Sequence, residues 1–273
     1  MKKLFLFLIG VSIVIASCTK TSEKEDEQPD PTGPDPQPVQ KALVLEQTGT
    51  WCGACPGAAA ILHSLGGQYG KQIIPIAVHG GNNADPMEID CFNSFRSDRM
   101  NSSFPSFFVP HERISSSESI VKNDIDVQLA WTPVKAGVDF IATKEGNIMN
   151  VELKVRFFQG AAETYYLSVY LLENGIDGGP GTGAYEQTSG GAGYTHEHVL
   201  RACASGANFW GDILNPSGAV AAGAEFDKTF NLTLDPSWNA ANVYVVAVVW
   251  QMNQSGTPVA YLYVNGKDNR QVH

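Results

Sequence analysis

The sequence predicts an α/β unit followed by an all-β sandwich, carried behind an export signal and a polar tether. Three observations lead there. Over residues 41–131, apolar runs of strand and helix character alternate along the chain, the pattern of a layered α/β fold. From Trp131 onward about seven strand-like runs follow one another, separated by turn residues. Ahead of both, a basic start, a short apolar run and a set of small residues precede a long polar and Pro-rich stretch. The expected organisation is therefore 1–17 signal peptide, 18–40 tether, 41–131 α/β unit and 132–273 β-sandwich.

Met1-Lys2-Lys3 is the positive start, and Leu4 to Ile15 is too short an apolar run to span a bilayer comfortably. Ala16-Ser17 then precede Cys18. The string Ile15-Ala16-Ser17-Cys18 resembles a bacterial lipobox, which implies lipid chains on Cys18 and a membrane anchor through them. An ordinary signal peptide with a coincidental cysteine is the alternative. Thr19 to Gln40 is charged and then Pro-rich, unable to bury enough apolar surface to offset its ordering entropy, so it reads as a semi-extended tether. Its acidic run at Glu23–Glu27 resembles tags that direct some lipoproteins to the cell surface; a merely solvated linker fits equally. A formal net charge of −10 over 273 residues argues against nucleic-acid binding, whose electrostatic footprint is basic. An exported chain also meets conditions in which disulfides form and persist.

In the α/β unit, Ala42–Leu45 reads as a strand and Ala58–Leu65 as a helix. Lys71–Val78 reads as a second strand, in tension with Pro75, because proline favours edges and bulges. Loop residues 79–86 lead to a helical piece around Cys91–Met100. Pro105 then opens the apolar strand run Phe104–Val109, and Ser115-Ser-Ser-Glu118 is a capping-box pattern for a helix running towards Leu129.

Between the first strand and helix lies Glu46-Gln-Thr-Gly-Thr-Trp51-Cys52-Gly53-Ala54-Cys55-Pro56. Two cysteines two residues apart can close and reopen a small disulfide ring, the minimal hardware of thiol–disulfide exchange. Placed where a strand turns into a helix N-terminus, Cys52 would be favoured as a thiolate and act as nucleophile, with Cys55 as the resolving thiol. Pro56 lacks a helical donor, so a bend near the first turn is expected. Zinc binding would need a second ligand pair, and Cys91 and Cys203 stand alone. A structural disulfide is the other reading. Trp51, Gly53 and Ala54 complete a WCGAC string that resembles the active-site motif of thioredoxin-like proteins. That resemblance implies a thioredoxin-like fold for the unit, a proton-transfer role for Glu46, and a cis-Pro105 packed opposite the CxxC.

In the second half, strand runs are expected at 136–143, 148–158, 164–173, 198–204, 225–234, 242–252 and 258–264. Val151–Phe157 and Phe226–Leu234 alternate with period two, as strands with one buried face do; Val243–Trp250 is nearly all apolar, as a central strand is. An antiparallel sandwich of immunoglobulin or jelly-roll type follows. His196 and His198, two apart, are expected on one strand face, more as ordinary sheet residues than as metal ligands. The Gly-rich segment 175–193 reads as a long loop able to shape a partner surface. It lacks the Lys-Ser/Thr of a phosphate-binding loop, so neither cofactor nor metal is expected. Cys91 and Cys203 either pair across the two halves or stay free.

Leu45, Glu46, Thr48, Gly49, Cys52, Cys55 and Pro56 in the first half, with Tyr194, His196, His198, Val199, Leu200 and Arg201 in the second, together with the lipobox, resemble the outer membrane protein 28 family of lipoproteins. The resemblance implies an outer-membrane location, periplasm-facing or at the cell surface. Two functions are compatible with it. One is a lipid-anchored thiol–disulfide oxidoreductase acting on envelope client proteins that carry disulfides, with a membrane electron donor. The other is a surface binding or adhesion lipoprotein in which the CxxC is a static disulfide.

Overall fold

The computed structural model describes residues 33–81, 85–99, 102–109, 113–114, 117–253 and 260–271. Cys18 and its lipobox lie outside them. In the first half, β1 (Ala42–Thr48), α1 (Cys55–Tyr69), β2 (Ile73–His79), α2 (Phe92–Arg99), β3 (Ser106–Phe108), β4 (Arg113–Ile114) and α3 (Glu118–Leu129) follow in order. In the second come β5 (Ala136–Glu145), β6 (Ile148–Phe157), β7 (Tyr165–Glu173), β8 (Ile176–Asp177), β9 (Thr195–His196), β10 (Val199–Cys203), β11 (Asp212–Ile213), β12 (Glu225–Thr233), β13 (Val243–Met252) and β14 (Tyr261–Asp268).

The expected boundary at 131/132 marks a change in the kind of element, not a break in the framework. Strands of both halves join one mixed sheet in the order β14-β13-β7-β10-β2-β1-β3-β4, with β11 added beside β7. The junction is β10 against β2, parallel, with Val199 opposite Ala77 and the Ala77 N–H donating to the His198 carbonyl at 2.8 Å. This junction also resolves the tension at Pro75. Backbone groups two residues apart point to the same neighbour, so the Pro75 nitrogen faces the β10 side. The β10 pairing reaches only Ala77, and no ladder bond is lost there.

The strands alternate inward and outward, and the two sheet faces bury different layers. One face presents Leu43, Leu45, Ile74, Ile76, Leu172, Tyr244, Val246, Val248 and Trp250, covered by Phe92 and Phe95 of α2 and by Phe209 and Trp210. This aromatic layer runs from β1 to β14 and binds the halves together. The opposite face divides. Under α1 and α3 lie Ala42, Val44, Ile73 and Phe107. Further along, Leu167, Val169, Leu171, Val245, Ala247 and Val249 pack on a second, three-stranded sheet of order β12-β6-β5. Two sheets thus pack face to face, but the larger is mixed and belongs equally to the first half, where an antiparallel sandwich built from residues 132–273 alone was expected.

Polar clasps finish the assembly. Gln128 of α3 accepts the Leu43 N–H, which lies beyond the end of the β3 pairing. Asn265 on β14 donates to the carbonyls of Val39 and Ala136, both at 2.9 Å, and accepts the Lys41 N–H. Cys91, just before α2, is bonded to Cys203 at the end of β10. α3 starts at Glu118 behind Ser117, which makes no side-chain cap; Ser115, the first residue of the expected capping box, lies outside the described residues. The Glu118 carboxylate instead accepts from Ser64 of α1 at 2.8 Å. Among the described residues, no helix is long and apolar enough to cross a membrane.

Candidate functional site

The CxxC turn forms where β1 leaves the sheet. The Cys52 N–H donates to Gly49 and the Cys55 N–H to Cys52, so the chain coils before α1 begins at Cys55. Pro56 sits in the first turn of that helix, where its missing N–H would have had no partner, so it is accommodated at the start of the helix and needs no bend. Cys52 and Cys55 are joined, with an S–S length of 2.03 Å and Cα atoms 5.4 Å apart. Cys55 is fully buried and Cys52 is 4% exposed. Their neighbours Trp51, Gly53 and Ala54 are exposed.

Trp51 lies over the loop after β2, its indole N–H donating to Gly80 at 3.2 Å. Its ring meets Phe104 at 5.0 Å between centroids. The Phe104–Pro105 bond is cis, as is Thr132–Pro133, which the sequence did not flag. Gly81, at φ +84°, leaves room for the Phe104 ring; a Cβ there would lie 2.1 Å from it. Through Trp51, Phe104 and Gly81 the segment leading into Pro105 thus packs beside the CxxC turn.

Glu46 is on β1, and its alternation with Ala42 and Val44 puts it on the face covered by α1. It is 2% exposed, and its Oε1 has no hydrogen-bond partner. Burial pushes the carboxyl up from 4.5 to about 8, against a small opposing effect of Thr48. Tyr194 is near enough to feel its charge; burial first, then Glu46 and Glu197, raise the phenol to about 12.

A second polar cluster supports the turn from below, and sequence reading missed it. Asp85 accepts the Thr50 N–H at 2.8 Å and the Met87 N–H at 2.9 Å, and lies 3.5 Å from His79 Nδ1. Burial alone would raise Asp85, but the His79 ring and these donors outweigh it and hold the carboxyl below its usual range. The His79 ring meets His196 at 5.2 Å, and His196 meets Tyr194 at 5.1 Å. Burial, then His79, lowers His196 to about 4, so the ring is neutral and its Nε2–H donates to the Tyr185 carbonyl at 2.9 Å. The signal available in the sequence was the Tyr194/His196 string, whose partner in the first half only the fold reveals.

His196 and His198 do not share a strand face as expected. His198 adopts φ +59° between β9 and β10, which turns the chain, and its Nδ1 pairs with the Tyr244 hydroxyl at 2.9 Å. Burial, first, holds His198 at about 3. The Gly-rich stretch folds back over the CxxC: Gln187 donates from Nε2 to the carbonyls of Cys52 (2.9 Å) and Gly49 (3.2 Å), and the Thr188 N–H donates to Thr50 at 2.8 Å.

The family described as outer membrane protein Omp28 matches residues 111–265, more than half of the chain. The chain belongs to that family. Its matched span begins after the CxxC, so the WCGAC string is outside it. Two solved structures are similar. HBP35 of Porphyromonas gingivalis aligns with a TM-score of 0.69 and 21% identity, covering 86% of this chain and 76% of that one. Protein AGR_C_4864 from Agrobacterium tumefaciens aligns with a TM-score of 0.54 and 14% identity, covering 87% and 99%. At these identities the likeness is one of fold. Among curated proteins the search finds no match. The shared ground is a β-rich fold with mixed sheets in a family of outer membrane proteins, in keeping with a place in the cell envelope.

Proposed function

We propose that this chain is a lipid-anchored envelope protein of the binding type, in which a thioredoxin-like unit serves as a scaffold and Cys52–Cys55 is a closed, structural disulfide. The observation that carries the reading is the cover over the pair. Cys52 is almost without access to solvent, and its own carbonyl and the carbonyls at Gly49 and Thr50 are engaged by Gln187 and Thr188 from the other half of the chain. A nucleophilic thiol that serves protein clients must be reachable. Membership of an outer membrane protein family and the lipobox at Cys18 support an anchored position in the envelope.

One observation favours the second reading, thiol–disulfide exchange with envelope clients through Cys52 and Cys55, fed by a membrane electron donor. A buried Glu46 with one carboxyl oxygen lacking a partner and its pKa held near 8 is costly for stability alone and is the kind of group that moves protons at neutral pH. Replacing Cys55 by Ser decides between the two. With a structural disulfide, neither Cys55→Ser nor Cys52→Ser accumulates DTT-sensitive adducts with envelope proteins. Adducts on Cys55→Ser that are absent from Cys52→Ser would overturn the binding reading and establish exchange.

A further inference from the structure

We propose that residues 185–190 form a strap that gates chemical access to the Cys52–Cys55 disulfide, with Gln187 as its latch. The inference goes beyond the binding reading, because it concerns any thiol reductant and needs no client.

Three features distinguish this strap from a loop that merely packs nearby. Its hold on the CxxC turn is polar. The Gln187 amide spans two carbonyls of the turn, those of Gly49 and Cys52, and the Thr188 N–H takes a third at Thr50. Thr188 and Ser189 themselves are exposed, so hardly any apolar burial has to be undone when the strap lifts. The latch is also incomplete: Gln187 is 3% exposed, yet its Oε1 lacks a partner, a buried unsatisfied acceptor that weakens the closed state. Finally, the strap has a fixed base and a glycine at each end. The Gln187 N–H donates to Gly178 and the Tyr185 carbonyl is held by His196, while Gly183 (φ +72°) and Gly191 (φ +78°) flank the segment. A strap held by a few hydrogen bonds between such ends opens locally, without unfolding the sheet.

The gated step balances as an ordinary exchange. A thiolate of an external dithiol attacks the sulfur of Cys52, the Cys52–Cys55 bond breaks, and Cys55 leaves as a thiolate that takes up a proton. The second thiol of the reductant then displaces Cys52 from the mixed disulfide. Two electrons and two protons pass to the pair, and the reductant departs as its disulfide.

The molecule carries its own control in Cys91–Cys203, a second disulfide that joins the residue before α2 to the end of β10. The full chain, oxidised, is exposed to dithiothreitol and, separately, to reduced thioredoxin as a bulky dithiol. Samples are alkylated at intervals and each cysteine pair is quantified by mass spectrometry. Gln187→Ala should speed reduction of Cys52–Cys55 by about tenfold or more, with the larger gain for thioredoxin, and leave Cys91–Cys203 at its wild-type rate. Gly190→Ala probes the strap at a second position and keeps the Gln187 amide, because a Cβ there would lie 2.8 Å from the Tyr194 ring and 3.0 Å from the Gln187 Cβ, so the segment must shift. It should act in the same direction, and it decides the matter if Gln187→Ala fails to fold. Unchanged Cys52–Cys55 rates in the folded variants, or rates that rise only in step with Cys91–Cys203, would overturn the proposal.

Discussion

Replacing Glu46 by Gln tests the most unusual group in the protein. Gln keeps the size and removes the charge. In the folded chain Glu46 holds its proton up to about 8, whereas in the unfolded chain it releases it near 4.5. Between those values the folded state binds more protons, so the contribution of this group is full below 4.5 and is lost as pH rises through 8. The gap, at about 1.4 kcal/mol per pH unit, sets a ceiling of about 5 kcal/mol; relaxation and water entry reduce the realised value to several kcal/mol. Urea unfolding of the oxidised proteins, followed by tryptophan fluorescence from 4.5 to above 8, should show variant and wild type alike at the acid end. The variant should then gain steadily and level off above 8. Titrating groups common to both chains cancel in the difference. Parallel curves, or a variant weaker than wild type at high pH, would refute the assignment of a buried carboxyl that holds its proton to about 8.

Breaking the long-range link with Cys91→Ala and Cys203→Ala together should cost about 2–5 kcal/mol in the same assay, because it frees a loop spanning 112 positions; a loss under about 1 kcal/mol would mean that the sheet alone holds the halves. Gly211→Ala should lower the melting temperature severely or prevent folding: the residue sits at φ +79°, and a Cβ would lie 2.0 Å from the Leu167 carbonyl. Expressed with its signal in a Gram-negative host, wild type should partition into detergent and Cys18→Ala should not; equal partitioning would remove the lipid anchor from the picture.

Local pattern carried the elements well and their assembly poorly. The strand runs of the second half appear close to where alternation put them, because period two is written into residues such as Val151 to Phe157. The apolar run at Val243–Trp250 is indeed central, flanked by β7 and β14. What pattern cannot carry is partnership between distant segments. That β10 lies beside β2 depends on one residue pair, Val199 and Ala77, which look like any other strand residues in the sequence. The same holds at the candidate site. Cys52, Cys55 and Glu46 were legible because they crowd one short string. Gln187 was not, because an amide in a glycine-rich stretch carries no sign of which carbonyls, 135 and 138 positions earlier, it will meet. The two-residue strands β8, β9 and β11 are too short to show any period.

Asn265 has a consequence for how the chain reaches this state. Its side chain closes on Val39, Lys41 and Ala136, so the first described strand is not fully clasped until almost the last one is in hand. Pairings this remote in sequence carry a heavy loop-closure cost and make for slow folding. At ordinary rates of synthesis, residues after Trp131 take on the order of ten seconds to follow those before it. Throughout that interval the aromatic face of β1 and β2, with Leu43, Leu45, Ile74 and Ile76, has no β13 or β14 to complete it. A chain stopped near Trp131 therefore leaves that apolar face without the strands that complete it, and it should aggregate under conditions in which the full chain stays in solution.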